Sequence, residues 1–214
     1  VKISAESGES ESRIQLDATL VESNQIDVHF KSAPRRRPER SMLASSACGV
    51  CGAVLIADLR RDLAPLPDGR QFDPAVLPGL VDRLRSGQGV FERTGGLHAA
   101  GLFTAEGELV CLREDVGRHN AVDKVVGRLL LDGRLPAPSA ILVVSGRAGY
   151  EIAQKSISAG IPVLAAVGAP SSLAVSLARE FNQTLVGFLR GQRYNVYSAG
   201  ARLAAPRAPT DSSQ

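Results

Sequence analysis

From residue 97 onward, short apolar runs alternate with stretches whose apolar residues recur at helical spacing, and this rhythm constrains the fold more than any other feature of the chain. The runs predict strands near Ala99–Phe103, Leu109–Arg113, Ala140–Ser145, Pro162–Val167 and Thr184–Leu189. Between them, Val122, Val125, Val126, Leu129 and Leu130 fall on one face of a helix, and Tyr150–Ala159 and Ser171–Phe181 are helix-length segments that follow Gly or Pro. Strands alternating with helices predict an α/β sheet covered by helices on both faces. Ile141-Leu142-Val143-Val144 has no polar position, as a strand buried on both sides requires. Tyr194–Tyr197 alternates and suits an edge strand. Upstream, Asp73-Pro74 reads as a helix start continued by Val76, Leu77, Leu80, Val81 and Leu84, with Pro78 predicting a break or a late beginning. Gln25–Lys31 is strand-like, and Ala53–Ala57 fits either a strand or a helix start.

Composition narrows the function classes. With 214 residues, 44% of them hydrophobic, one main globular unit is expected. Aromatic content of 4% without Trp leaves little material for a base-stacking surface, so no nucleic-acid partner is expected. A net charge of +3 suits an anionic ligand but is a modest imbalance, part of it in Arg35-Arg36-Arg37-Pro38-Glu39-Arg40, which reads as a solvated loop. Three cysteines, two of them in Cys48-Gly49-Val50-Cys51, are too few and too clustered for a secreted disulfide framework. No apolar stretch reaches membrane-spanning length and the polar start is no signal peptide, so a cytoplasmic protein without a membrane partner is expected. The chain starts at Val, which fits a fragment or a processed form. Residues 1–24 and 206–214 are expected to be poorly ordered.

Six segments can carry chemistry. Cys48 and Cys51 stand in a small, flexible turn able to expose a thiolate, and zinc binding is the rival reading, with Cys111, His98 and His119 as the remaining ligands. None of the three histidines is followed by Glu two positions on, so the cytidine-deaminase signature is absent. Thr94-Gly95-Gly96-Leu97-His98 lets backbone approach a ligand and presents a histidine just before a strand. Glu114-Asp115-Val116-Gly117-Arg118-His119-Asn120 packs polar groups after a strand, as a site or as a capped, salt-bridged helix start. Ser145-Gly146-Arg147 and Ala169-Pro170-Ser171-Ser172 each stand between a strand and a helix, where a phosphate or simple N-capping fits. Phe188-Leu189-Arg190-Gly191-Gln192-Arg193 places two guanidiniums around a Gly turn, a fork for pyrophosphate.

Taken in order, Cys-Gly-Val-Cys-Gly, Thr-Gly-Gly-Leu-His-Ala-Ala, Glu-Asp-Val-Gly-Arg-His-Asn-Ala-Val-Asp-Lys, Val-Ser-Gly-Arg-Ala, Gly-Ile-Pro-Val-Leu-Ala-Ala-Val and Ala-Pro-Ser-Ser-Leu-Ala resemble the FdhD family of formate dehydrogenase accessory sulfurtransferases. The resemblance runs from about Ser41 to about Arg202. It implies a cytidine deaminase-like α/β fold and a homodimer, without catalytic zinc. Residues 41–205 would form the core domain, 206–214 a tail, and 1–40 a partly disordered remnant of a longer, here truncated or divergent, N-terminal region. It further implies that a cysteine desulfurase loads persulfide sulfur onto Cys48, with Cys51 as helper. The sulfur would pass to the molybdenum bis(molybdopterin guanine dinucleotide) cofactor, a bound substrate, before its insertion into formate dehydrogenase. The family's cofactor-binding segment matches Phe188, Leu189, Arg190, Gly191, Gln192 and Arg193, and Ser145, Gly146, Arg147 and His119 are expected to contribute. Asp115 and Arg118 could orient the cofactor or tune the thiol. Two rivals remain: a non-catalytic cofactor-binding chaperone, and a zinc-dependent nucleotide deaminase.

Overall fold

A computed structural model describes residues 2–4, 15–16, 27–28 and 63–203, the first three segments by backbone pairing alone. The Cys48–Cys51 turn, the arginine run, Ala53–Ala57, the tail and the expected domain boundaries lie outside the described residues. Lys2–Ser4 (β1) pairs antiparallel with Gln15–Leu16 (β2) and parallel with Asp27–Val28 (β3). The pairing of β3 falls within the strand-like Gln25–Lys31.

The main sheet has six strands in the order β5-β4-β6-β7-β8-β9: His98–Thr104 (β4), Leu109–Asp115 (β5), Ala140–Val144 (β6), Val163–Ala166 (β7), Thr184–Arg190 (β8) and Arg193–Ser198 (β9). The central strands β6, β7 and β8 run parallel, and β4 and β9 flank them antiparallel. The helices are Leu77–Ser86 (α1), Gly89–Thr94 (α2), Arg118–Leu131 (α3), Tyr150–Ser158 (α4) and Ser172–Glu180 (α5). The expected α/β sheet is therefore present, with its strands within a residue or two of their predicted bounds. Pro78 falls in the first turn of α1, where a missing N–H costs nothing, after a short 3-10 turn over Pro74–Val76 capped by Asp73.

Helices cover both faces because successive side chains of each strand point to opposite sides. Ala100, Leu102, Leu142, Val144, Leu164 and Ala166 face one core, closed by Val122, Val125 and Leu129 of α3, Ile152 and Ile157 of α4 and Leu177 of α5. Ala99, Phe103, Ile141, Val143, Val163 and Ala165 face a second core under Leu77, Leu80 and Leu84 of α1. Each large aliphatic buried this way is worth about 1.5–3 kcal/mol against exposure. The segment leading into the sheet is tied to the segment leaving it: Phe72 N donates to Arg202 O at 2.9 Å, and the Arg202 guanidinium donates to Asn182 O and Pro67 O. Among the described residues no helix is long and apolar enough to cross a membrane.

Candidate functional site

The strand directions bring the carboxyl ends of β5, β6, β7 and β8 to one end of the sheet, together with the start of β4 and of β9. Open α/β sheets build their sites there. His98 begins β4 opposite Asp115, and β6 ends into Ser145-Gly146-Arg147. Ser145 locks to the start of β4: its N–H donates to Ala99 O at 2.9 Å and its Oγ accepts from Ala99 N at 2.8 Å. A Cβ on Gly146 would lie 3.3 Å from His98 Nδ1 and 3.8 Å from Arg118 Cδ, which places both side chains against this loop. Gly168 N donates to Gly146 O at 3.0 Å, and Phe188 N to Gly168 O at 3.1 Å. Successive loops of the sheet are thus stitched together.

The polar stretch from Glu114 to Asn120 is largely consumed by structure. Glu114 and Asp115 belong to β5 and Arg118, His119 and Asn120 to α3, so Val116 and Gly117 alone form the link. Asp115 Oδ1 accepts from Gly117 N at 2.9 Å and Asn120 Nδ2 at 3.0 Å, and its Oδ2 meets Lys124 Nζ at 2.6 Å. These donors, Lys124 first, hold its carboxyl down at about 2. Glu114 accepts from Val90 N and Phe91 N and so caps α2. His119 points to α4, its Nε2 3.3 Å from Glu151 Oε2, and burial followed by the nearby Arg118 charge pushes its pKa down. Arg118 keeps a buried Nε without a partner among the described residues.

Ser171 proves to be a helix cap, its Oγ accepting from Ala174 N at 3.1 Å. Arg147, by contrast, is exposed, with no ion pair among the described residues. Cys111, Leu102's partner on β5, is half-buried against the α3 core, and burial pushes its thiol pKa up. It does not approach His98 or His119 as a zinc set would need, and no group of three metal-ligating side chains forms among the described residues.

The segment Phe188–Arg193 closes the β8–β9 hairpin. Arg190 and Arg193 are Cα partners directly across the strands, joined by Gly191 and Gln192, and all four are exposed. Neither arginine has a hydrogen bond or ion pair among the described residues. The register slips between Gly187 and Arg190, and Phe188 adopts φ 54, rare for a bulky side chain, with its residue 42% exposed. Leu189 departs from the expected binding role: it is fully buried, in the core under α1. The alternation of a strand forces this, since its two neighbours face outward.

One group had no sequence signal. Arg85, Gln88 and Phe91 line a cavity of about 480 Å³ together with Gly95, Gly96, Leu97, His98 and Ser145. The Gly-rich turn before His98 did point to this place. The short helix that supplies Phe91 was not predicted because six residues with two apolar positions carry no periodicity.

Comparison with known proteins decides the kinship. The family model described as FdhD/NarQ matches residues 5–204. The chain belongs to the FdhD/NarQ family. The sulfur carrier protein FdhD of Streptomyces avermitilis is 56% identical over 173 residues, covering 78% of this chain and 60% of that protein. That of Nocardia farcinica is 51% identical over 189 residues, covering 87% and 67%. The crystal structure of a formate dehydrogenase accessory protein from Desulfotalea psychrophila superposes with a TM-score of 0.62 at 33% identity, covering 69% of this chain and 62% of that one. The chain thus spans about 60% of the Streptomyces relative's length. The FdhD/NarQ match takes in both the Cys48–Cys51 turn and the basic hairpin.

Proposed function

We propose that this chain is a sulfur carrier that accepts sulfane sulfur from a cysteine desulfurase as a persulfide on Cys48 and delivers it to molybdenum bis(molybdopterin guanine dinucleotide), the cofactor of formate dehydrogenase. Kinship with proteins named as sulfur carriers supports the sulfur chemistry. The basic hairpin supports the anionic substrate: Arg190 and Arg193 face each other across the strands with no counter-charge among the described residues. Like charges in such a pair repel, whereas a diphosphate between them turns both into charge-assisted donors. Phe188, turned outward beside them at φ 54, offers a ring to the same ligand. Arg147 and Arg118 add positive charge at this end of the sheet, beside the positive end of α3.

The transfer balances within the chain's own residues. The desulfurase leaves Cys48 as a persulfide. The Cys51 thiolate attacks the inner sulfur of Cys48, the S–S bond of the persulfide breaks, and sulfide departs toward the molybdenum while a Cys48–Cys51 disulfide forms. The two thiols supply the two electrons that reduce sulfane sulfur to sulfide. On this reading the protein works in the cytoplasm as a homodimer, with the desulfurase and formate dehydrogenase as partners.

Intact mass spectrometry after incubation with a cysteine desulfurase and cysteine tests the proposal. One added sulfur is expected, absent from Cys48→Ala. An adduct that survives in Cys48→Ala overturns the assignment of the carrier. No adduct at all, alongside tight guanine-dinucleotide binding, leaves a chaperone that holds the cofactor without sulfurating it.

A further inference from the structure

The strand directions that gather the described site at one end of the sheet leave the opposite end to the finish of β4 and the start of β6, where Thr104 and Ala140 are Cα partners. A cavity of about 290 Å³ opens there, walled by β4, β5, α3 and the loop from Arg134 to Ser139. Sites for small ligands begin at roughly 300 Å³, so its guest is small.

The floor of this cavity is apolar. Leu102 of β4 and Leu129 of α3 line it at 2% and 1% exposure, and Val110 joins them from β5. The β4–β5 register passes from Leu102 opposite Cys111 to Phe103 opposite Leu109, which leaves Val110 as the extra residue of a bulge. A bulge re-aims a side chain out of the regular ladder, and here it adds that side chain to the cavity lining. The turn beyond β4 is braced: Thr104 Oγ1 accepts from Glu106 N and Glu108 N, and Thr104 N donates to Glu108 O at 2.9 Å.

At the mouth one positive charge is left over. Arg70 is paired with Glu106, and Asp132 is paired with Arg128 at 2.8 Å. Arg134 lines the cavity from an exposed position and has no ion pair or side-chain hydrogen bond among the described residues. The Ser139 hydroxyl, in the same lining, likewise has no hydrogen bond among them. A guanidinium and a hydroxyl are the donors that one carboxylate uses. We infer that this cavity is a binding site for a small monocarboxylate with an apolar body, an aryl- or branched alkanoate. Its carboxylate meets Arg134 and Ser139, and its body lies against Leu102, Val110 and Leu129. A neutral ligand would leave the guanidinium unmatched, and a dianion would have to break the Arg70–Glu106 pair to find a second cation. The site stands at the far end of the sheet from the strand-end loops and does not rest on the sulfur-carrier reading.

The probe is 3-(4-fluorophenyl)propanoate, followed by fluorine NMR on the full chain. Saturable binding is expected, about ten-fold weaker for 3-(4-fluorophenyl)propanamide, which keeps the apolar body and loses the charge. Arg134→Ala is expected to weaken carboxylate binding about ten-fold with an unchanged Tm, because the side chain has no structural partner to lose, and Arg134→Lys is expected to restore part of the affinity. The Arg190→Ala/Arg193→Ala variant is expected to bind the probe as the parent does. The inference is overturned by absent saturable binding, by equal affinity for the amide, by unchanged affinity or a lowered Tm in Arg134→Ala, or by loss of binding in the hairpin variant. None of these outcomes bears on persulfide formation at Cys48.

Discussion

Asp115 ends β5 with three donors on its carboxylate, from Lys124, Gly117 and Asn120. They lower its pKa from 3.8 to about 2. The unfolded state therefore holds the proton more tightly, and the stability that Asp115 contributes is complete above about 4 and is lost as the pH falls through about 2. Urea unfolding across that window should show the acid limb flattened in Asp115→Asn, and an unchanged limb would remove Asp115 from the acid response. Gly168 is a second single-residue test. A Cβ there would lie 3.0 Å from Arg147 N, Gly146 O and Arg147 Cγ, and two of these are backbone atoms that cannot swing aside. Gly168→Ala should cost about 1–3 kcal/mol. Gly149→Ala, where a Cβ meets nothing within 4 Å, should be close to neutral in the same denaturation series. Equal costs at the two positions would show that the loop gives way and that the stitching between the strand ends is loose.

At the scale of elements, the β8–β9 hairpin trades stability for charge. Arg190 opposite Arg193 is a like-charge pair, destabilising by about 0.2–1 kcal/mol in a sheet. Arg193→Ala should therefore leave the Tm equal or slightly raised while weakening GDP binding about ten-fold, as loss of one charge-assisted donor predicts. A lowered Tm with unchanged GDP affinity would make the arginine structural. The sequence spacing showed the two guanidiniums flanking Gly191 but not which neighbours face the ligand side. Leu189 lies within the same run and is buried, because only the register of the strand separates it from Phe188 and Arg190. The stretch from Glu114 to His119 was legible as dense and polar for the same reason that its roles were not. Spacing cannot tell a carboxylate that caps a neighbouring helix, as Glu114 does, from one that awaits a ligand.

For the whole molecule, the alternation of apolar runs and helical periods carries the architecture, since a strand with apolar residues on every position must be covered on both sides. The central strand β6 is that case, with all five residues buried. The cavity beside Gln88 was not legible, because it arises from the meeting of α1, α2, β4 and the β6 and β7 ends, which no local pattern encodes. The two cores that β6 separates give the fold its last test. Ile141 packs under α1 and Leu142 under α3, α4 and α5, in clusters with no member in common. Each truncation to Ala should cost about 2–5 kcal/mol. Because adjacent strand residues point to opposite faces, the double variant should cost the sum to within about 0.5 kcal/mol despite the peptide bond between them. Urea unfolding of the parent, the two single variants and the double completes the cycle. A shortfall beyond that margin would mean that removing one core already loosens the other, and that the sheet transmits strain between its faces instead of insulating them.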